Sequence, residues 1–208
     1  MRITTDPQKI EAKSLKIVEG LLAGSKLPLS EREIAKRVVH ATADVGYAKA
    51  LFFSPGALSA GLKAVRAGKN VVVDVNMAKV GMKEKLLRSF GGEVICLLDD
   101  SDVVARASRL KVTRAMLAMR KAVSFIDGSI VAIGNAPTAL FEISDLVKKG
   151  KAHPALIVGV PVGFVGALES KRGLRGLSVP YITNFDKKGG SSVACAIVNA
   201  LLILAKGL

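Results

Sequence analysis

The sequence predicts an α/β fold: a single domain with a mostly parallel sheet flanked by helices. Near-continuous apolar, β-branched runs such as VVVDV (Val71 to Val75) and ALIVGV (Ala155 to Val160) are what a strand covered on both faces requires. Stretches with apolar residues at helical spacing alternate with these runs, which is the pattern of a parallel sheet. No internal repeat, low-complexity segment or long linker divides the 208 residues, so one domain is expected over 1–208, long enough to bury a sizeable core.

Taken in order, Pro7 to Ala23 reads as a helix, with Asp6 as its cap, Pro7 at the first helical position, and Ile10, Leu15, Val18 and Leu22 on one side. Ser30 to about Asp44 reads as a second helix. Ser30 and Glu33 have capping-box spacing there, and Ile34, Val38, Ala41 and Val45 form the expected buried stripe. The alternation then runs strand Val71–Val75, helix Lys83–Phe90, strand Val94–Leu98, and helices near Val103–Leu110 and Thr113–Val123. It continues with strand Ile130–Ile133, helix Pro137–Lys149, strand Ala155–Val158, helix Val165–Arg172, strand Val179–Ile182 and a closing helix Ser191–Ala205.

The chain carries 31 basic against 17 acidic residues, a formal charge of +14, yet 50% of it is hydrophobic and only 4% aromatic. A half-apolar chain is not a disordered basic tail, so the charge calls for an anionic partner, either a polyanion or a small polycarboxylate. The uncharged run from Gly189 to Ala205 contains Ser191, Ser192 and Asn199, and that from Pro154 to Leu168 is broken by Pro161 and glycines. Both read as core segments rather than membrane spans. The amino terminus, MRITTDPQKIEAKSL, has no apolar stretch ending in a small-residue cleavage site, which places the protein in the cytoplasm. Cys96 and Cys195 stand about a hundred residues apart without histidine neighbours, so no metal site is expected of them.

Three glycine-containing segments, IGNAPTAL, VGVPVGFVG and KKGGSS, fall where strands give way to helices, the usual place for a site in an open α/β sheet. The second lacks the glycine spacing of a dinucleotide fingerprint, and no acidic residue ends the following strand. The third either cradles a carboxylate with backbone N–H groups at a helix start or simply makes a tight turn. His153 lies in a basic loop and reads as solvated. His40 shares a helix face with Glu33, Lys36, Arg37 and Asp44. With Arg37 to hold an anion and Asp44 to bias its tautomer, His40 has the parts of a proton donor; the same face also reads as an exposed lattice of ion pairs. Arg106 to Lys121 holds six cations and no acid. This stretch supports nucleic-acid binding as the alternative function, although nine aromatics without tryptophan leave little for base stacking. Arginines there equally suit bidentate capture of substrate carboxylates. No serine-triad elbow or carboxylate cluster is present.

The ordered set of TDPxxIExxSLxIV, ERExAKRVVHATAD, AGKNVVVDVNM, AIGNAPTALFEI, HPALIVGVPVGFVGALESK and KGGSSVACAIVNALL resembles the precorrin-8X methylmutase family, also called cobalt-precorrin-8 methylmutases, over nearly the whole chain. The resemblance implies an isomerase of cobalamin biosynthesis that moves a methyl group from C-11 to C-12 of a tetrapyrrole, giving hydrogenobyrinate or cobyrinate. It implies an α/β homodimer with sites near the subunit interface and a carboxylate-rich tetrapyrrole as partner. Nucleic acid, membrane and cofactor have no part in it; any cobalt belongs to the substrate. His40 matches the family's catalytic histidine. Ser14, Arg37 and Arg114 match substrate contacts, as do Lys171 and the Gly190–Ser191 turn. Family members commonly have Gly-Arg-Lys-Gly-Gly-Ser where this chain has Lys187-Lys188-Gly189-Gly190-Ser191, so a lysine replaces an arginine and its planar fork is lost.

Overall fold

Six short strands join into one sheet, and the helices between them pack on both faces, in a computed structural model that describes residues 5–207. Residues 1–4 and 208, which the expectations for the domain and the amino terminus included, lie outside the described residues. Helices α1 (Pro7–Leu21), α2 (Leu29–Thr42) and α3 (Tyr47–Ala50) precede strand β1 (Leu51–Phe53). Then follow α4 (Ala57–Arg66), β2 (Val71–Val73), α5 (Asn76–Gly81), α6 (Glu84–Arg88) and β3 (Val94–Ile95). Helices α7 (Ser101–Leu110), α8 (Arg114–Lys121) and α9 (Val123–Ile126) lead to β4 (Ile130–Ile133), α10 (Pro137–Lys148) and β5 (Leu156–Gly159). Helix α11 (Ala167–Arg172) with a 3-10 turn, β6 (Tyr181–Asn184) and α12 (Ser191–Lys206) complete the chain.

The strand order is β1-β6-β5-β4-β2-β3, parallel except for the edge strand β1, which pairs antiparallel with β6. Strand side chains alternate between two cores, as a pleat requires. Val71, Val73, Ile130, Ala132, Leu156, Val158 and Ile182 join the core under α2, α4 and α12. Val72, Val131, Ile133, Ile157 and Tyr181 join the core under α8 and α10. The chain runs out from β2 to β3 on one side and returns to β4 on the other, so the sheet's topological switch point lies between the carboxyl ends of β2 and β4.

Several local expectations are corrected. Helix α2 begins at Leu29 after Pro28, not at Ser30, and has no side-chain cap. Glu33 bonds Lys36 at 2.7 Å instead of returning to a cap. Its buried stripe is Ile34, Ala35, Val38 and Val39, with Ala41 and Val45 exposed. Strand β6 starts two residues later than Val179, since Pro180 has no N–H for the ladder. Strand β1 and helices α3, α4, α5 and α9 lie outside the sequence expectations. Gly61 in the middle of α4 weakens its sequence signal, but a Cβ there would meet Leu156 at 2.9 Å and Leu201 at 3.0 Å. That glycine lets the helix lie directly on the sheet. Asp6 caps α1 as expected, accepting from the N–H of Gln8 at 3.0 Å.

Candidate active site

The antiparallel pairing of α1 with α2 is polar along one edge. Lys36 reaches Glu19 at 3.8 Å and Arg37 reaches Glu11 at 3.6 Å. Continuing along the same edge, Ser14 Oγ lies 2.9 Å from His40 Nδ1. The ladder explains how residues far apart in sequence converge: Ser14, Arg37 and His40 come together at the carboxyl end of α2. His40 is exposed, and its Nε2 has no protein partner among the described residues. Asp44 does not take the role expected of it. Helix α2 ends at Thr42, Ala43 turns left-handed with φ of 54°, and Asp44 is carried off the helix face to bond Lys188 Nζ at 2.5 Å. The residue that can set the histidine tautomer is Ser14.

Ala41, next to His40, lines a cleft of about 400 Å³ with Met77, Gly81, Ser191, Cys195 and Asn199. The cleft brings the end of α2 against α5 and the start of α12. Ser191 is buried at its wall. Gly189 and Gly190 take φ of +158° and +127°, and the Gly190 N–H donates to Val160 O at 2.9 Å. The Gly-Gly pair therefore makes the tight turn, and the Gly190 amide is already committed. The Cys195 Sγ donates to Ala78 O at 3.2 Å, and burial pushes its thiol up to about 11, so it stays an unreactive wall group. A larger groove of about 670 Å³ lies between the end of α1 and residues 45–51, but apart from Lys26 and Lys49 its lining carries no charge.

Arg114 stands elsewhere, at the start of α8 on the opposite face of the sheet. Its Nη1 donates to Asp99 Oδ1 at 2.8 Å, and Asn76 Nδ2 reaches the other oxygen at 2.5 Å. Asn76 precedes Met77, so Arg114 is linked to the rim of the cleft through Asp99. Lys171 is placed differently from expectation. It is fully buried, and its Nζ donates to Asp186 O at 2.9 Å and Lys188 O at 2.6 Å. It faces the underside of the β6–α12 loop, not the cleft.

Asp74, absent from the residues that the motifs single out, occupies the switch point. Its buried carboxylate accepts from the backbone N–H groups of Gly134, Asn135 and Ala136 at 3.1, 2.8 and 2.7 Å. Burial outweighs these donors and holds its carboxyl above the ordinary range. The amides that such a crevice would offer a nucleotide phosphate are thus occupied by the protein's own carboxylate. A lone acid within the apolar run VVVDV, just past the end of β2, is the signal, since buried carboxylates need partners.

The basic stretch is largely neutralised within the fold. Arg106 pairs with Asp102 at 3.5 Å, Arg114 with Asp99 at 2.8 Å, Arg120 with Glu142 at 2.7 Å and Lys121 with Asp100 at 2.6 Å. Arg109 and Lys111 make no ion pair among the described residues. Among the described residues no group of His, Cys, Asp and Glu could hold a metal ion, and no helix is long and apolar enough to cross a membrane.

Comparison with known proteins decides the family, because a model described as precorrin-8X methylmutase matches residues 9–204. The chain belongs to the precorrin-8X methylmutase family. A cobalt-precorrin-8 methylmutase of Priestia megaterium is 47% identical to it, over 98% of this chain and 90% of the relative. A precorrin-8X methylmutase of Pseudomonas aeruginosa is 43% identical, over 88% of each. The crystal structure of a precorrin-8X methyl mutase from Thermus thermophilus superposes with a TM-score of 0.90 at 42% identity, covering 96% of this chain and 97% of that one. Membership makes this methylmutase an isomerase of cobalamin biosynthesis, as the ordered motifs implied.

Proposed function

We propose that this methylmutase moves the methyl group from C-11 to C-12 of precorrin-8X or cobalt-precorrin-8, with His40 as proton donor to the ring. One observation carries the assignment of His40: Ser14 engages Nδ1 at 2.9 Å while the ring is exposed and Nε2 has no protein partner among the described residues, one position before the Ala41 that lines the cleft. A Ser14 hydroxyl donating to Nδ1 leaves the ring proton on Nε2, the atom presented to substrate. A methyl group migrating within one molecule requires neither an external donor nor a nucleophile. Protonating or hydrogen-bonding a ring nitrogen draws electron density from the conjugated system and favours the shift.

Arg37 is held by Glu11 only at 3.6 Å, and Glu11 is mostly exposed, so the guanidinium can exchange that partner for a substrate carboxylate. Ser191 and the α12 amino terminus offer further donors to an acetate or propionate arm. Arg114 contributes from the opposite rim by releasing Asp99. Any cobalt enters as part of the substrate.

We place the enzyme in the cytoplasm as one domain that pairs into a homodimer. Phe164 and Val165, in the β5–α11 loop, are 86% and 89% exposed, and Met77 and Val80 on α5 are 72% and 83% exposed. Apolar groups so exposed at the carboxyl edge of the sheet favour cover by a second subunit and by the macrocycle. Incubation of the purified protein with either precursor, followed by the change in ring absorption, tests the activity. Product formation is expected; unchanged substrate beside an active relative would refute it.

A further inference from the structure

Lys171 sits in the last turn of α11 with no exposed surface and joins no ion pair among the described residues. Burying an ammonium without a counter-ion is unfavourable, and an apolar side chain of similar length would fill the same space without that cost. Burial pushes its ammonium down to about 8, against the pull of the Asp186 carboxylate. Its chemistry is spent on two backbone carbonyls, those of Asp186 and Lys188, at 2.9 and 2.6 Å.

The loop that it grips is otherwise closed on itself. Asn184 Nδ2 donates to Lys188 O at 2.9 Å and to Asp186 Oδ1 at 3.1 Å, and Asp186 Oδ1 also accepts from the Lys188 N–H. The loop then acts on both walls of the cleft. In one direction Lys188 Nζ crosses to Asp44, which lies just past the end of the helix that carries His40. In the other direction the Gly189–Gly190 turn follows directly and sets Ser191 into the wall.

We propose that Lys171 is a positioning residue that never touches substrate: its ammonium pins the β6–α12 loop from beneath, so that Lys188 clamps Asp44 behind His40 and Ser191 faces the cleft. This deepens the reading of His40 as proton donor and rests on it. The unpaired charge is then explained, since only a multi-donor head group at that depth can hold two carbonyls of one loop together.

Lys171→Met, which keeps length and removes the donors, is tested by hydrogen exchange and by turnover. Exchange is expected to rise at residues 186–191 and 43–47 while the sheet amides stay protected. Turnover number should fall about tenfold with KM changed less than about threefold, the split of a group acting on catalytic geometry. Raised KM with unchanged turnover number would instead make Lys171 a direct substrate contact and overturn the proposal, as would unchanged exchange in both segments. Should Lys171→Met fail to fold, Lys188→Met breaks only the surface link. It is expected to raise exchange at 43–47 and to lower turnover number, and no change in either would overturn the clamp. The exchange measurements need no substrate, so they separate a failure of this mechanism from a failure of the assigned reaction.

Discussion

Ser14→Ala and His40→Ala remove the two ends of one hydrogen bond, and the structure assigns them very different costs. The Ser14 Oγ to His40 Nδ1 contact is 2.9 Å long and exposed, so water can replace the serine at Nδ1. A net hydrogen bond of this kind contributes about 0.5–1.5 kcal/mol, so Ser14→Ala should lower turnover number by roughly two- to tenfold. His40→Ala removes the proton donor itself, and positioned general acids contribute roughly 10²- to 10⁴-fold. The two variants should therefore differ by at least about tenfold. Both side chains lie outside the buried cores, so neither loss should disturb folding. Steady-state absorption at saturating substrate measures the turnover numbers, and titration with product checks that His40→Ala still binds tightly. His40→Ala within tenfold of wild type would refute the proton-donor role. A Ser14→Ala loss as large as that of His40→Ala would place the serine in the chemistry rather than behind it.

Asp74→Ala leaves three buried N–H donors without an acceptor, at 1–3 kcal/mol for each unmet group and with incomplete additivity, so a loss of about 3 kcal/mol is expected. For a chain of this length that is roughly 6–12 °C in unfolding temperature, and a shift below about 2 °C by calorimetry would contradict the role given to Asp74. The Asp44–Lys188 bridge has a defined pH window. Its hydrogen bond to Lys188 holds Asp44 below its ordinary 3.8, so the Asp44 contribution is present above that value and lost as pH falls through the lower folded-state value. Asp44 raises Lys188 above its ordinary 10.5, so that contribution is present below 10.5 and lost as pH rises further. The difference in unfolding temperature between wild type and Lys188→Met should then stay flat between about pH 5 and pH 7, below the Lys171 titration at about 8, and a step within that window would show that another group controls the bridge. Phe164→Asp places a charge on the exposed apolar tip of the β5–α11 loop; if the proposed dimer forms across this face, sedimentation should show wild type dimeric and the variant monomeric, and an unchanged dimer would move the interface elsewhere.

The fold was legible wherever one local rule decided an element. Burial on both faces marks β2, β4 and β5, and the apolar run from Val193 onward marks α12, because in each the hydrophobic pattern alone sets the outcome. Strand β1 was hidden because its three residues follow a helical turn directly, and its partner β6 lies 130 residues away. Its identity is decided by tertiary pairing, which no local window contains. The capping-box reading failed for a related reason. Pro28 already fixes the chain direction at the start of α2, and Lys36 offers Glu33 a charge-assisted partner stronger than a neutral backbone N–H.

In the site, helical spacing placed Arg37 and His40 on one face, but it also placed Asp44 there, and the left-handed Ala43 undid that placement. Residue order cannot show where a helix stops when the stop is a non-glycine residue held in the left-handed region by its surroundings. Lys171 shows the opposite limit: the motif match makes it a substrate contact, yet it is fully buried and spends its donors on two carbonyls of the β6–α12 loop. The two cases change the meaning of the +14 charge. Four cations of its densest stretch pair at the surface with Asp99, Asp100, Asp102 and Glu142, and Lys171 and Lys188 serve the scaffold. Arg37 is held by Glu11 only at 3.6 Å, which leaves it free to exchange that partner for an anionic ligand. On the proposed reading, a carboxylate-fringed ring is met by position rather than by total charge: Arg37 stands one turn before His40, and its own pairing is long enough to exchange.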